Sequence, residues 1–336
     1  MHFQVRKLGI DFFPGLATFV SSSSIEVDGN ILEGEKFIIA TGSKARELTH
    51  LKDSSKEVMT AKDIFNMKSL PDSMTIIGAG AIGIEFAYFF NAFGVKITLI
   101  EAQDFLLPNE DEEISQWIHK VFKRKKMNIQ TGIIADNIQD DHILVSIGVE
   151  GNSLGLGLDK IGVSLGENNH IVVNENGQTN IENIYAVGDV IGPPWLAHVS
   201  AAEGLYVAEH IANLHPKKID YNCIPACTYS KPEVASIGMT KKQLDKEGIE
   251  YNTAKSFFNS NGKAVATGGT DGFIKIYVGS DNLILGAHII GSNATEMISE
   301  FSLAMRNQLS VENILDTIHP HPTFSEAIFE TLMQLK

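Results

Sequence analysis

Residues 74–101 constrain the fold more than any other part of the chain. They read MTIIGAGAIGIEFAYFFNAFGVKITLIE. An apolar β-prone run leads into three glycines, then a helix-length segment that stops at Gly94, and a second β-prone run that ends in Glu101. This order predicts a βαβ unit, with strands at residues 75–77 and 97–100 and a helix between them.

The glycine spacing in this unit is typical of a dinucleotide site. Gly78 allows a sharp turn after the strand, Gly80 lets backbone N–H groups approach a pyrophosphate, and Gly83 lets the helix pack closely on the sheet. We expect the phosphates at the helix N-terminus. Glu101 is placed to accept hydrogen bonds from both ribose hydroxyls, and its charge would repel a 2′-phosphate, so NAD is favoured over NADP. This unit alone does not distinguish NAD from FAD.

The helix of the unit carries apolar residues at helical spacing. They are Ile82, Phe86, Phe89 and Phe93. We expect this stripe to be the face of the helix that packs against the sheet. The competing interpretation of the whole segment is a structural helix punctuated by glycines, with no ligand.

Composition excludes several classes of function. The 336 residues carry a net charge of −14, which argues against nucleic acid as a partner. The basic run at residues 123–126 ends a predicted helix, where cations are favoured by the helix dipole. No stretch approaches eighteen apolar residues, so no membrane span is predicted. Two cysteines do not make a disulfide framework and fit a reducing compartment, so we expect a cytoplasmic protein.

The segment before the βαβ unit has a different pattern. Residues 19–42 alternate apolar runs with turn residues and predict a small antiparallel hairpin that leads into a strand at residues 37–40. Pro71 and Asp72 then mark a boundary.

Four further motifs follow the same order as in one known family. They are Ala40-Thr41-Gly42, Ile147-Gly148, NIYAVGDV at residues 183–190 and HPHPTFSE at residues 319–326. With the βαβ unit, this ordered set resembles the flavin-dependent pyridine nucleotide-disulfide oxidoreductases, and most closely their dihydrolipoamide dehydrogenase group. The resemblance covers essentially the whole chain.

The resemblance implies an α/β fold, in which a Rossmann-like NAD-binding domain is inserted in a partial FAD-binding domain and followed by an α+β dimerisation domain. The implied boundaries are a remnant of the FAD-binding domain at 1–70, an NAD-binding domain at 71–150, the second part of the FAD-binding or central domain at 151–218, and the dimerisation (interface) domain at 219–336. The NAD-binding domain looks shortened between Thr131 and His142.

The resemblance also implies cofactor contacts. Asp189 corresponds to a strand-end acid that hydrogen-bonds the ribityl chain of FAD, and Gly148 to a glycine that packs on bound NAD. Glu85 resembles the partner of a lysine near the flavin. The remaining positions resemble turns and backbone that lie against FAD: Thr41, Gly42, Leu196, Ala197 and His198. No metal site is predicted.

His321 and Glu326 are the catalytic candidates. A histidine titrates near neutrality, and a carboxylate on its far nitrogen fixes the tautomer and stabilises the imidazolium, so the pair can accept a proton from a dithiol. His319 is the competing choice, but in the family the histidine before Pro-Thr is the base. By resemblance this histidine serves the partner subunit's active site, which implies a homodimer.

Besides the shortened segment between Thr131 and His142, the chain lacks two motifs of the family pattern. It contains neither a second Gly-rich βαβ unit for FAD nor a Cys-x4-Cys redox pair followed by a lysine. Cys223 and Cys227 have the wrong spacing and position to replace that pair, and we expect them to be unreactive thiols. On this view about the first quarter of a full-length relative is absent, and Glu85 has lost its lysine.

The expected function is therefore a flavin-dependent NAD oxidoreductase that oxidises a protein-bound dihydrolipoyl dithiol with NAD as acceptor, inactive on its own in this form. The implied partner is the lipoyl-bearing subunit of a 2-oxo acid dehydrogenase complex. The alternative is a non-catalytic, dimeric NAD-binding module that regulates a full-length homologue. Glutathione reductase is disfavoured by Glu101, and mercuric reductase by the lack of a C-terminal cysteine pair; a soluble transhydrogenase or NADH oxidase stays open.

Overall fold

The computed structural model describes residue 5 and residues 7–51, 55–135 and 138–336, and the chain divides into two units. The first unit combines residues 1–44 with 149–219, and the second combines residues 45–148 with 220–336. Each unit is therefore built from two separate stretches of sequence.

The described residues begin with five short strands, and strands and helices then alternate over much of the chain up to β16. The strands are β1 Ala17–Ser21, β2 Ser24–Val27, β3 Asn30–Glu33, β4 Phe37–Ile39, β5 Ser43–Ala45, β6 Glu57–Met59, β7 Ser73–Ile77, β8 Lys96–Glu101, β9 Asn128–Thr131, β10 His142–Val145, β11 Val149–Gly151, β12 Ile184–Ala186, β13 Ala226–Thr228, β14 Glu233–Gly238, β15 Tyr251–Phe257, β16 Phe273–Gly279 and β17 Ile284–Gly291. The α-helices are α1 Ala61–Ile64, α2 Ala81–Ala92, α3 Glu112–Arg124, α4 Leu158–Ile161, α5 Ala197–Ile211, α6 Lys241–Glu247, α7 Gly262–Thr267, α8 Ala294–Arg306, α9 Val311–Leu315 and α10 Glu326–Leu332.

The first unit holds an antiparallel sheet and a parallel pair. Strands β1, β2 and β3 pair in sequence order, so the expected hairpin is confirmed and extended by one strand. Strand β4 instead pairs in parallel with β12, which comes from the second stretch of the unit. Their buried side chains, Ile39, Ile184 and Ala186, share a core with Phe19 of β1.

The second unit begins with a five-stranded parallel sheet in the order β6-β10-β7-β8-β9. Because the strands are parallel, their carboxyl ends lie along one edge, where ligands bind in folds of this kind. Strand β6 belongs to this sheet although it precedes Pro71. The short segment 131–142 leads from β9 to β10, and Asp136 and Asn137 within it lie outside the described residues.

The second unit also contains a five-stranded antiparallel sheet in the order β13-β14-β17-β16-β15. Helices α8 and α10 pack on it through a buried apolar cluster that includes Phe301 and Ile328. Residues on its other face, among them Val234, Phe273 and Ile290, join the apolar core that surrounds α3. The two sheets of this unit are therefore held by one continuous core, and the expected α/β fold class is confirmed.

The predicted packing face of α2 was wrong. Ile82, Phe89 and Phe93 are exposed, whereas Gly83, Ile84, Ala87 and Phe90 are buried against the sheet. The helix is apolar on nearly all sides, so hydrophobic spacing could not identify its inner face; the close approach at Gly83 sets it. No helix of the described residues is both long and apolar enough to cross a membrane.

We expect substitutions at Phe90, within α2, and at Phe93, its C-cap residue, to have very different effects on stability. Phe90 is 1% exposed and Phe93 is 63% exposed. Phe90→Ala leaves a cavity in the core and should lower the free energy of unfolding by about 3–5 kcal/mol, whereas Phe93→Ala should change it by about 0.5 kcal/mol or less. Guanidinium unfolding measures both. Equal losses would contradict the packing described here.

Candidate functional site

Gly78 and Gly80 lie in the turn between β7 and α2, and Gly83 lies in the first turn of α2. Gly78 has φ +96°, and a Cβ there would lie 2.4 Å from the Ser146 carbonyl oxygen. A Cβ on Gly83 would lie 1.9 Å from the Gly78 carbonyl oxygen, whereas one on Gly80 would meet no atom within 4 Å. Two glycines are therefore needed for close backbone packing, and the third leaves open space beside the helix N-terminus.

Glu101 lies at the end of β8 beside this turn. Its buried carboxylate accepts hydrogen bonds from the Ala79 N–H (2.7 Å) and the Gln103 N–H (2.9 Å). A carboxylate has about four acceptor positions, so two bonds to backbone leave capacity for hydroxyl donors. The glycine turn and the acid are thus joined directly.

Gly148 follows β10, the neighbour of β7 in the sheet. It has φ +99°, and its carbonyl oxygen accepts a hydrogen bond from the Arg46 N–H (3.0 Å). The Ser146 N–H donates to the Ile77 carbonyl (2.8 Å), so this segment runs beside the end of β7. The sheet therefore places Gly78, Glu101 and Gly148 at the carboxyl ends of three adjacent strands.

Thr41, Gly42 and Asp189 come together in the first unit, beyond the carboxyl ends of β4 and β12. The Ser43 hydroxyl donates a 2.7 Å hydrogen bond to the Asp189 carboxylate. Gly42 has φ +70°, and a Cβ there would meet no atom within 4 Å. The two motifs, far apart in sequence, thus form one small polar site.

Sequence reasoning missed several residues that support this polar site. Ser43 was not singled out, although it directly follows the Ala-Thr-Gly motif. Asn152 bonds twice to Thr41: its backbone carbonyl accepts from the Thr41 hydroxyl (2.8 Å), and its side-chain amide donates to the Thr41 carbonyl (3.1 Å). Buried Glu203 accepts from the Gly188 N–H (2.7 Å). No local motif marks Asn152 or Glu203, because their partners are distant in sequence.

Leu196, Ala197 and His198 form the start of α5 in the same unit. Leu196 is the N-cap residue, and Ala197 and His198 occupy the first helical positions. The first backbone N–H groups of a helix have no partner within it. The Leu196 N–H donates to the Pro194 carbonyl at 3.0 Å, and contacts between this segment and a flavin stay a prediction.

The two histidines of the HPHP motif have different surroundings. His321 is 77% exposed, and its Nδ1 bonds to Glu326 Oε1 at 2.8 Å. His319 is 7% exposed; its Nε2 contacts Glu300 at 2.9 Å and its Nδ1 contacts the Thr317 carbonyl at 3.1 Å. His319 thus has both ring nitrogens engaged, while His321 presents its Nε2 at the surface.

Glu326 is held as a carboxylate beside His321. The Thr323 N–H donates to its Oε2 at 2.8 Å. This backbone hydrogen bond, together with the contact to His321, holds the pKa of Glu326 below its ordinary value. An ionised Glu326 fixes the proton of a neutral His321 on Nδ1 and leaves the Nε2 lone pair free to accept a proton.

Glu85 lies on α2 and accepts a hydrogen bond from the Tyr229 N–H (2.9 Å) at the antiparallel sheet. Burial raises the pKa of this carboxyl above its ordinary value, against the effect of that hydrogen bond. The residue is thus a half-buried acid tied to backbone.

Both cysteines are free and half-buried. Burial is the main cause that raises the pKa of Cys223 to about 11, and the nearby Asp220 is the second cause. Burial is also the main cause that raises the pKa of Cys227 to about 11, and the charge of Glu110 is the second cause. A redox thiol needs a lowered pKa in an electropositive site, so these surroundings are those of inert thiols.

Comparison with known proteins identifies the family. Residues 1–204 match the pyridine nucleotide-disulphide oxidoreductase family, and residues 224–332 match the dimerisation domain of the same family. The chain belongs to this family. Its members are oxidoreductases that use FAD and NAD, and the second match supports a homodimer.

Individual relatives agree. The chain is 40% identical to dihydrolipoyl dehydrogenase of Bacillus subtilis, over 98% of this chain and 74% of the relative. It is 34% identical to the enzyme of the same name from Zymomonas mobilis, over 98% and 76%. Among solved structures, it is similar to LpdA from Mycobacterium tuberculosis (TM-score 0.93, 24% identity, 100% of this chain and 79% of that chain). It is also similar to the flavoprotein disulfide reductase RclA from Escherichia coli in its Cu(II) complex (TM-score 0.92, 25% identity, 100% and 82%).

We expect the folded protein to react slowly with iodoacetamide at pH 8. With pKa values of about 11, the thiolate fraction is lower than that of an ordinary cysteine by roughly two orders of magnitude. The alkylation rate should rise about tenfold per pH unit up to pH 10, because the thiolate is the reactive form. Mass spectrometry follows the reaction, and guanidinium-unfolded protein is the control. Rapid labelling of the folded protein at pH 7 would contradict this environment.

Proposed function

We propose that this chain is the NAD-binding and proton-accepting part of a dihydrolipoyl dehydrogenase, which oxidises a dihydrolipoyl group on the lipoyl-bearing subunit of a 2-oxo acid dehydrogenase complex. The observation that carries the proposal is the joining of the glycine turn to buried Glu101 at the carboxyl edge of the parallel sheet. The relatives named dihydrolipoyl dehydrogenase support the substrate class.

The residues at this edge fit NAD. Open space at Gly80 leaves room for a pyrophosphate against the N-terminus of α2, whose first N–H groups favour an anion. Glu101 would bind the ribose hydroxyls, and its charge would disfavour the additional phosphate of NADP. Gly148 would pack on the cofactor from the neighbouring strand.

The polar site of the first unit fits part of a flavin. Asp189 would accept hydrogen bonds from a ribityl chain while the Ser43 hydroxyl, which donates to one of its carboxylate oxygens, keeps the side chain in place. Thr41 and Gly42 would lie against the cofactor, and the backbone of Leu196, Ala197 and His198 would contact its ring. When bound, FAD would supply the two-electron carrier between a redox-active thiol pair and NAD.

His321 is proposed as the base. Its Nε2 would take a proton from the dihydrolipoyl thiol, and Glu326 would stabilise the charged ring that results. The high exposure of His321 suits a residue that serves the active site of a second subunit, so the proposal includes a functional homodimer.

We also propose that the 336-residue chain by itself does not oxidise dihydrolipoamide. Its two cysteines have raised pKa values and no Cys-x4-Cys spacing, so no thiol pair of the sequence is suited to receive electrons from the substrate. The same observation favours a second candidate function, a dimeric NAD-binding module that regulates a full-length homologue.

Absorbance spectroscopy and an activity assay separate these functions. A flavin band in the purified protein, with NADH formation from dihydrolipoamide and NAD, would show a complete enzyme and would contradict the proposed inactivity. Saturable NADH binding without activity is the expected result. If flavin is also absent, the regulatory module is favoured; if NADH does not bind, both functions fail.

We expect Glu101→Gln to change the preference between nucleotides. The wild type should bind NADH at least about tenfold more tightly than NADPH, because the carboxylate repels the 2′-phosphate. Removing the charge should weaken NADH binding by about five- to tenfold, and it should reduce the difference between the affinities for NADH and NADPH. Fluorescence titration measures both affinities. Glu112→Gln, an exposed acid at the start of α3, is the matched control and should leave them unchanged. Unaltered selectivity in Glu101→Gln would contradict the assignment.

A further inference from the structure

The antiparallel sheet contributes a buried lysine to a network that reaches the glycine turn. We propose that Lys275, on β16, is a positioning residue for the dinucleotide site: through Asp111 it holds the start of α3, and through α3 the loop at residues 102–110 that lies on the glycine turn. The inference deepens the proposed function and rests on NAD binding at that turn.

The loop that follows Glu101 is hydrogen-bonded to the glycine turn. The Leu107 N–H donates to the Ala79 carbonyl at 2.8 Å, and Ala79 in turn donates to Glu101. Leu106 and Leu107 are both buried, so the loop is anchored in the core beside the turn. A shift of Leu107 would therefore disturb Ala79, which lies between Gly78 and Gly80.

The same loop is bonded to the first turn of α3. The Ser115 hydroxyl donates to the Leu107 carbonyl at 3.2 Å, and the Glu110 N–H donates to the same carbonyl at 2.9 Å. Asp111 is the N-cap of α3, and its carboxylate accepts from the Glu113 N–H at 3.1 Å. The position of the loop is therefore set by the position of this helix end.

Lys275 and Tyr277 fix that helix end from the antiparallel sheet. The Lys275 ammonium contacts Asp111 at 2.9 Å and Glu113 at 2.7 Å, and the Tyr277 hydroxyl donates to Asp111 at 2.6 Å. The side chains of Lys275 and Asp111 are only 4% and 1% exposed. Burial acts to raise the pKa of Asp111, but the hydrogen bond from Tyr277, the neighbouring His288 and then the hydrogen bond and charge of Lys275 hold it below its ordinary value.

The position of Asp111 therefore depends on its pairing with Lys275. A buried carboxylate that loses its cation is left uncompensated, and it must move toward water or take up a proton. Either change alters the cap of α3 and displaces the loop that α3 holds. A purely structural role would instead lower stability evenly and leave nucleotide affinity unchanged in the folded fraction.

The test uses Lys275→Met, which keeps the length of the side chain and removes its charge, and Tyr277→Phe, which removes only the hydroxyl. Lys246→Met is the matched control, because Lys246 is an exposed lysine on α6 of the same unit. Fluorescence titration gives the Kd for NADH. Hydrogen exchange of the ligand-free protein gives the protection of the Leu107 amide relative to amides of β16 and β17.

We expect Lys275→Met to weaken NADH binding by about tenfold and to speed exchange at Leu107 at least tenfold more than at the strand amides. Tyr277→Phe should weaken NADH binding and speed Leu107 exchange by two- to fivefold each. If Lys275→Met does not fold, Tyr277→Phe serves as the test of the inference. Lys246→Met should remain within twofold of the wild type.

Unchanged NADH affinity and unchanged Leu107 exchange in a folded variant would overturn the inference. If the wild type itself binds no NADH, the proposed function fails and the positioning of a dinucleotide site fails with it. In that case faster Leu107 exchange would still show that Lys275 is coupled to the loop, which separates the two failures.

Discussion

The close approach of α2 to β7 is the constraint on which the candidate dinucleotide site depends. A side chain at Gly83 would collide with the Gly78 carbonyl, and one at Gly78 would collide with the Ser146 carbonyl. Because these two positions are glycines, α2, the turn and the two parallel strands can approach closely enough for their backbone atoms to be in contact. This contact brings the N-terminus of α2 to the carboxyl edge of the sheet, where Glu101 bonds to Ala79 and completes the turn.

That edge is supported from the other side of the unit. The core around α3 includes residues of the antiparallel sheet, and Lys275 and Tyr277 of that sheet hold the cap of α3. Burying a lysine and an aspartate is costly unless each is paired and hydrogen-bonded, and here both conditions are met. The segment that matches the family's dimerisation domain and the candidate dinucleotide site thus belong to one packed structure in this chain.

Much of this could be predicted from residue pattern. The βαβ unit, the acid at Glu101 and the hairpin of the first unit follow from local periodicity and glycine spacing, which are short-range properties of the chain. The fold class followed from the resemblance to the family. The inner face of α2 could not be predicted in the same way, because a helix that is apolar on most sides carries no directional signal. The choice between His319 and His321 rested on family resemblance; their different burial became visible only in the fold.

The sequence by itself determined which elements form and which residues could bind a dinucleotide, because those properties depend on neighbours a few positions apart. Only the tertiary structure decided which distant groups support them: Ser43 against Asp189, Asn152 across the Thr41 turn, and Lys275 against Asp111. These pairs are separated by more than a hundred residues and carry no shared motif. Their partners are chosen by strand pairing and by the need to satisfy buried polar atoms, and both are properties of the folded chain.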